Sequence, residues 1–427
     1  MKISAMLLVA GAVLAQAVEA RDADGKELIV SISWGDQVSD LKQKPLITAE
    51  SFETTFRKLK EMNVDKVLFR LDVLRWVNDY HWPEPRSHYK NAPRHMVEID
   101  QRQWEMSQLA VKKDLLKDVI RLAHANGLAI YAFHSTFDEG MPLDQIWYTP
   151  DEYGEELYAA FLDKDKANSN EKISPPGVYS PMVSNFVEKH PECVPVDRAG
   201  KEHNWGSLEF ACPEARAYVV NYNRKFLEQY PFDGVYINFR NEFGHPQHGD
   251  QFGFAPQIVS EYKRRYGTNI LNDQFDLEKW RRLRGEYLTQ LIRELSEAVR
   301  AKGKPLMVGV PQGNYMGIPV GNLYVDWEAW VDQRLVDGLV VGDISGKFLF
   351  PKRVGYGYVT EQEDGIGLKN ILWDLDNTYW PKCASRGVKL YVIPHRWGFK
   401  QIPPAQFRKT KVDGVFIPTP KIGASGE

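Results

Sequence analysis

Short apolar segments alternate with helical patterns along this chain, and that alternation constrains the fold more than any other feature. Glu27 to Ser33 alternates and carries Ile and Val, as a half-buried strand does. Thr48-Ala-Glu-Ser51 opens a helix running to about Met62, with Thr48 as N-cap. Lys66 to Leu71 reads as strand two. Leu115, Leu116, Val119, Ile120 and Ala123 then form one helical face, Gly127 stops it, and Leu128 to Phe133 is strand three. A helical pattern over Pro213 to Tyr230 and a tight turn at Pro231 to Gly234 lead into strand four, Val235 to Ile237. Helical stretches at Gln257 to Tyr266 and Leu277 to Lys302 precede strand five, Pro305 to Val310. Trp327 to Gln333 precedes strand six, Gly338 to Val341. A helix within Gly365 to Ser385 precedes strand seven, Val388 to Ile393. A short helix around Gln406 precedes strand eight, Gly414 to Ile417.

Eight strands with helices between them imply a parallel sheet, and eight is the number that closes a barrel. An open doubly wound sheet is the rival. It is disfavoured because no Gly-rich phosphate loop follows any early strand. The expectation is an α/β fold, a (β/α)8 TIM barrel with a long insertion after strand three, residues 134 to about 211. No internal repeat and no linker to a second domain stands out, so residues 21–427 are expected as one domain.

Residues 1–20 read as a signal peptide. Lys2 supplies the positive start, Met6 to Leu14 a short apolar run, and Ala15-Gln-Ala17 and Val18-Glu-Ala20 small residues for cleavage. The run is too short to span a bilayer, and no later stretch is long and apolar enough. The expected location is secreted or periplasmic. Charged residues are 26% of the chain with a formal net charge of -3, which gives no electrostatic case for nucleic acid. Three cysteines, Cys193, Cys212 and Cys383, match no metal motif. Cys193 and Cys212 bracket one loop, as a disulfide or as free thiols. His245-Pro-Gln-His248 is a weak metal pattern because it lies in a loop with Pro. No cofactor or metal is expected.

Catalytic barrels place their chemistry just after the strands. Strand four empties into Asn238, Arg240, Asn241 and Glu242, and strand six into Asp343. Asp72 follows strand two, and Asp138 and Glu139 follow strand three. Each carboxylate could instead be a rim ion pair with Arg70, Arg240 or Arg396. His134 and His395 follow strands three and seven, and either a ligand-binding or a structural role suits them. Gln312 and Asn314 follow strand five and are natural hydroxyl-binding amides. The chain has 12 Trp. Trp34, Trp76, Trp82, Trp205 and Trp397 sit in polar segments, where sugar stacking competes with core filling. Trp147, Tyr148 and Trp205 are candidates for a wall over the cleft. Arg70, Arg240, Lys352, Arg353 and Arg396 suggest an acidic or sulfated glycan, or else they neutralise the rim.

Three stretches resemble the glycosyl-hydrolase-like family 10 group of bacterial (β/α)8 barrels. They are Leu115 to Tyr131, Asp233-Gly-Val-Tyr-Ile-Asn238, and Glu261-Tyr-Lys-Arg-Arg-Tyr-Gly267. The resemblance implies a barrel and carbohydrate hydrolysis. Related strand-four signatures often carry Asp where this chain has Asn238. Asn241-Glu242 is similar to the Asn-Glu pair of a large retaining-glycosidase clan, in which the Glu is the acid/base. That clan's strand-seven nucleophile has no counterpart here, since strand seven runs into Ile393-Pro-His-Arg-Trp397.

Glycoside hydrolysis needs two carboxylates across the scissile bond. Glu242 and Asp343 are the expected catalytic pair. Trp34, Arg70, Asp72, His134, Asn238, Arg240, Asn241, Gln312, Asn314, His395, Arg396 and Trp397 are the expected substrate contacts. A non-catalytic glycan-binding barrel and a uronate-cleaving polysaccharide lyase are the alternatives.

Overall fold

The computed structural model describes residues 25–39, 46–88, 94–142, 182–241, 249–317, 320–344, 370–394 and 402–418. Eight strands close into one barrel: β1 (Glu27–Ser33), β2 (Lys66–Arg70), β3 (Ala129–Phe137), β4 (Gly234–Asn241), β5 (Leu306–Pro311), β6 (Gly338–Ile344), β7 (Lys389–Val392) and β8 (Gly414–Phe416). Every neighbouring pair is parallel, and β8 returns to β1 through Glu27 opposite Gly414. Helices bridge successive strands: α1 (Ala49–Glu61), α2 (Leu115–Ala125), α3 (Pro213–Gln229), α4 (Leu277–Arg300), α5 (Trp327–Asp332), α6 (Trp380–Arg386) and α7 (Pro404–Arg408).

Strand alternation sorts the side chains into two layers. Leu28, Val30 and Ile32 of β1 face outward and pack with Phe52, Phe56 and Leu59 of α1. Ile29, Leu68, Tyr131, Phe133, Tyr236 and Phe416 face the barrel axis. Thr48 caps α1 through a reciprocal bond pair with Ser51, as its position at the helix start predicts.

The barrel floor carries a recurring device. Asp65, Asp233, Asp337 and Asp413 each directly precede an even-numbered strand. Their carboxylates accept the backbone N–H of Leu28 (2.8 Å), Ile130 (2.7 Å), Leu306 (2.9 Å) and Leu390 (2.8 Å) on the preceding odd strand. The same bond thus recurs at every second strand, without a fixed sequence period. In β4, β6 and β8 the next residue is Gly, and a Cβ at Gly234 would lie 2.3 Å from the Tyr131 ring. In β2 it is Lys66. Its ammonium bonds Glu27 Oε2 at 2.9 Å and Tyr391 Oη at 3.2 Å, and lies 4.9 Å from the Tyr131 and Tyr391 ring centroids.

The expected strand ends need correction. β3 runs on to Phe137, β4 to Asn241 and β6 to Ile344, so the insertion starts later than residue 134. Its described part carries regular structure: Val183–Ser184 pairs antiparallel with Tyr80–His81, and Asn185–Lys189 is a helix. The segment between β2 and α2 holds a helix of 19 residues, Arg94–Lys112. Asp114, at φ 47°, separates it from α2.

Cys193 and Cys212 form a disulfide, and Cys383 is buried and free. Among the described residues no helix is long and apolar enough to cross a membrane.

Candidate active site

The inner wall of the barrel changes character along its axis. Apolar and aromatic residues fill the middle, above the Lys66 ammonium at the floor. At the carboxyl ends of four adjacent strands, the same inward positions become Ser33, Arg70, Ser135 and Asn238. A parallel barrel builds its site at this end, because the variable loops leave from it.

Arg70 organises one side of this mouth. Its guanidinium is 4% exposed, pairs with Asp138 through Nη2, and lies 3.7 Å from Asp72 Oδ2 through Nε. Asp72 in turn ties two loops together. Oδ1 accepts the N–H of Gly35 at 3.0 Å and of Val73 at 2.9 Å, and Oδ2 accepts the Ser33 hydroxyl at 2.9 Å. Gly35 is required here, because a Cβ would lie 2.3 Å from the Trp76 ring. Burial pushes the Asp72 carboxyl up to about 7, although Arg70 and the two backbone donors pull it down. A carboxyl in that range can exchange a proton near neutrality.

Asn238 forms the second polar centre. Its Oδ1 accepts the Ser135 hydroxyl at 2.6 Å and the Arg240 backbone N–H at 3.4 Å. A backbone N–H can only donate, so this arrangement fixes which end of the amide is oxygen. The Nδ2 group is then a buried donor with no hydrogen-bond partner among the described residues. Beyond it, Asn241 donates through Nδ2 to Ser207 Oγ (2.7 Å) and to the Trp205 carbonyl (3.1 Å). That pins the inserted segment against the end of β4. Trp205 is half-buried and stacks on His203 at 5.0 Å. Partial burial holds the His203 imidazole below its usual range.

Several expected site residues do other work. Trp34 is fully buried, packs on Phe52 and Phe69, and donates Nε1–H to the Leu46 carbonyl at 2.7 Å. Its ring faces are therefore core surface, not a sugar platform. Trp76 and Trp82 are likewise buried against each other. His134 points away from the barrel axis. Asn223 of α3 donates to its Nδ1 at 2.9 Å, and the ring packs on Tyr222. Burial, then Arg75 and Arg70, holds its pKa well below the usual imidazole range. It is a neutral packing residue and does not join the mouth. Glu139 is fully buried against Arg75 at 2.5 Å and accepts the Tyr218 hydroxyl at 3.2 Å. It is a structural ion pair. Gln312 donates to Asp374 at 2.5 Å, and Asn314 to the Tyr324 hydroxyl at 3.2 Å. Arg240 is half-buried.

Asp343 lies at the end of β6, beside an irregularity between Val341 and Ile344 and after Gly342 at φ 89°. Bulges of this kind re-aim residues at barrel rims. The Asp343 side chain lies outside the described residues. So do Glu242, His395, Arg396, Trp397, Trp147, Tyr148, Lys352, Arg353, His245 and His248. Among the described residues, one group has metal-like spacing: Cys193, Cys212 and Glu214. Its two sulfurs are bonded to each other and are not available as ligands.

Sequence reasoning missed Ser33, Ser135 and Asp374. The first two were detectable. Counting by twos from Ile29 and from Tyr131 reaches Ser33 and Ser135 on the inward face. Asp374 follows the long β6 exit segment and had no strand to mark it.

The glycosyl hydrolase-like 10 family model matches residues 153–344 of the chain. No curated protein matches it. Solved structures similar in fold include the catalytic domain of a β-amylase from Paenibacillus polymyxa, with 11% identity, 92% of each chain covered and a TM-score of 0.47. An α-L-fucosidase from Paenibacillus thiaminolyticus shares 11% identity over 87% of this chain and 41% of its own, with a TM-score of 0.42. A class V chitinase from Pseudomonas fluorescens shares 11% identity over 86% and 68%, with a TM-score of 0.33. Likeness at these values carries no argument about chemistry. The barrel assignment rests on the closed strand order itself.

Proposed function

We propose that this chain is an exported glycoside hydrolase acting on a neutral polysaccharide or oligosaccharide, with Glu242 as general acid/base and Asp343 as its partner. The observation that supports this most is the polar mouth at the carboxyl ends of β1 to β4. There, Asn238 holds out a buried, pre-aimed amide donor four residues before Glu242. A sugar hydroxyl or ring oxygen is a natural acceptor for such a donor. The family match spans Asn238, Glu242, Gln312, Asn314 and Asp343 in one stretch. Arg70, Asp72, Asp138 and Glu139 lie outside it. Export is supported by the signal-like residues 1–20 and by the Cys193–Cys212 disulfide, a bond that persists in oxidising compartments.

A neutral glycan is favoured over an acidic or sulfated one because Arg70 is engaged with Asp138 and Asp72. A lyase would need a guanidinium presented to a uronate carboxylate, and Arg70 gives that reading no support.

The test is a polysaccharide panel read for reducing ends and for ultraviolet absorbance together, on the wild type and on Glu242→Gln. Positioned proton transfer contributes about 10²–10⁴-fold in rate, so the variant should lose that much turnover while staying folded. Substrates with good leaving groups should lose less, and Asp343→Asn should be damaging on all of them. Full activity of Glu242→Gln on a natural glycan sinks the assignment. An ultraviolet-absorbing product sinks hydrolysis.

A further inference from the structure

The geometry points to a fixed internal water site between Glu209 and Arg284, independent of the catalytic reading. Arg284 lies two turns into α4 and is 3% exposed, and Glu209 lies ahead of α3 and is 4% exposed. Arg284 Nε, Arg284 Nη1 and Glu209 Oε2 are buried and have no hydrogen-bond partner among the described residues. Both side chains line one cavity of about 10 Å³, whose other walls include Phe137, Leu208, Phe210 and Leu323. A water needs about 10–15 Å³ of this kind of space and two to four polar partners, and the cavity offers both.

Chemistry selects the occupant. A guanidinium can only donate, and an ionised carboxylate can only accept. A molecule between them must therefore accept from one and donate to the other, which water does and a halide does not. The guanidinium is held at the cavity by its stack on Trp280, at 4.8 Å, and by Gly253. Gly253 has φ 118°, and a Cβ there would lie 2.2 Å from Arg284 Nε. Asp250, the other nearby carboxylate, is already bonded by Arg281 at 3.0 and 2.7 Å and by Asn322 at 3.2 Å. The Glu209 backbone donates to Cys193 O at 2.7 Å and accepts from Cys212 N at 3.0 Å. The water thus ties α4 to the disulfide-closed segment whose Ser207 holds Asn241 at the end of β4.

A crystal structure of the full chain, at a resolution that shows ordered waters and after a bromide soak, tests this directly. The expected result is one water peak within hydrogen-bond distance of Arg284 and of Glu209 Oε2, with no anomalous signal. A bromide peak there, or a direct Arg284–Glu209 contact with no density between them, overturns the proposal. A second arm compares melting temperatures. Arg284→Met and Glu209→Leu should each lower the value, and the double variant should recover part of the loss, since neither then strands a buried partner. Strictly additive losses count against a shared site.

Discussion

Replacing Asp72 with asparagine should stabilise the protein above neutral pH and change little in acid. The carboxyl is buried at the barrel mouth, and burial raises it from 3.8 to about 7, with Asp36 adding a smaller push and Arg70 opposing both. Asp138 also faces the same guanidinium. An acid whose folded pKa lies above its unfolded value binds its proton more tightly in the folded state. Folding is then unpenalised below the unfolded value, loses stability as pH rises between the two, and carries the full penalty above the folded value. The interval from 3.8 to about 7 amounts to about 4 kcal/mol at 1.36 kcal/mol per pH unit. An amide keeps an acceptor for the Gly35 and Val73 N–H groups and presents a donor to Ser33, much as the protonated acid does. Arg70 would retain Asp138 as its charged partner, so some of the gain is returned. A net gain of about 2–4 kcal/mol is expected at about pH 8, and nearly none at about pH 4. Urea denaturation of both proteins at several pH values reads this as a widening gap in midpoint. Parallel midpoint curves for the two proteins between about pH 4 and pH 8 would refute the reasoning.

Glu139→Gln should destabilise by about 3–5 kcal/mol, because it leaves the buried Arg75 guanidinium without its charge partner; chemical denaturation measures it, and a loss under about 1 kcal/mol would contradict a structural pair. Reducing the Cys193–Cys212 bond, whose ends are 19 residues apart, should cost about 3 kcal/mol, seen as a lower melting temperature in reductant that the Cys193→Ser/Cys212→Ser double variant reproduces without it. Trp34→Ala should cost about 3–5 kcal/mol, as for other fully buried large side chains; a stable variant with weakened glycan binding would return Trp34 to the site.

The fold was legible because parallel barrel strands are buried on both faces and read as apolar runs. All eight were found, and each began within one residue of its observed start. The ends of three were not legible, and β6 runs past Val341 to Ile344. β3 and β4 continue through Ser135, Asn238 and Arg240, where inward polar residues end the apolar pattern while the backbone ladder goes on. The polarity that hid the strand ends is what makes the mouth. Helix Arg94–Lys112 was hidden for a related reason, since its buried positions include Asp100, Gln101 and Ser107. Trp34, Trp76 and Trp82 misled in the opposite direction. Each stands among polar neighbours in sequence, yet the short helices Trp34–Ser39 and Asp72–Asn78 fold the first two into the core, and Trp82 packs on Trp76. The aspartates at 65, 233, 337 and 413 were readable as a recurring feature, three of them followed by Gly and an aliphatic residue. Spacings that vary with insertion length concealed it.

The same distinction between residue type and placement decides what the mouth can recognise. Five cations near strand ends suggested an anionic glycan. Of these, Arg70 faces the barrel axis, and it is flanked by Asp72 and Asp138. A guanidinium reads a carboxylate or sulfate through a fork of N–H donors turned toward it, and here the fork is turned to the protein's own carboxylates. Asn238 presents the opposite case. It is neutral, and its oxygen is satisfied by Ser135 and the Arg240 backbone, which leaves the Nδ2 donor buried. Leaving such a donor unpaired costs about 1–3 kcal/mol. A ligand that supplies an acceptor gains that amount over one that does not, which is how sites built to bond a hydroxyl discriminate. On the proposed reading the mouth would therefore select neutral oxygens through Asn238, while Arg70, Asp72 and Asp138 hold its own loops.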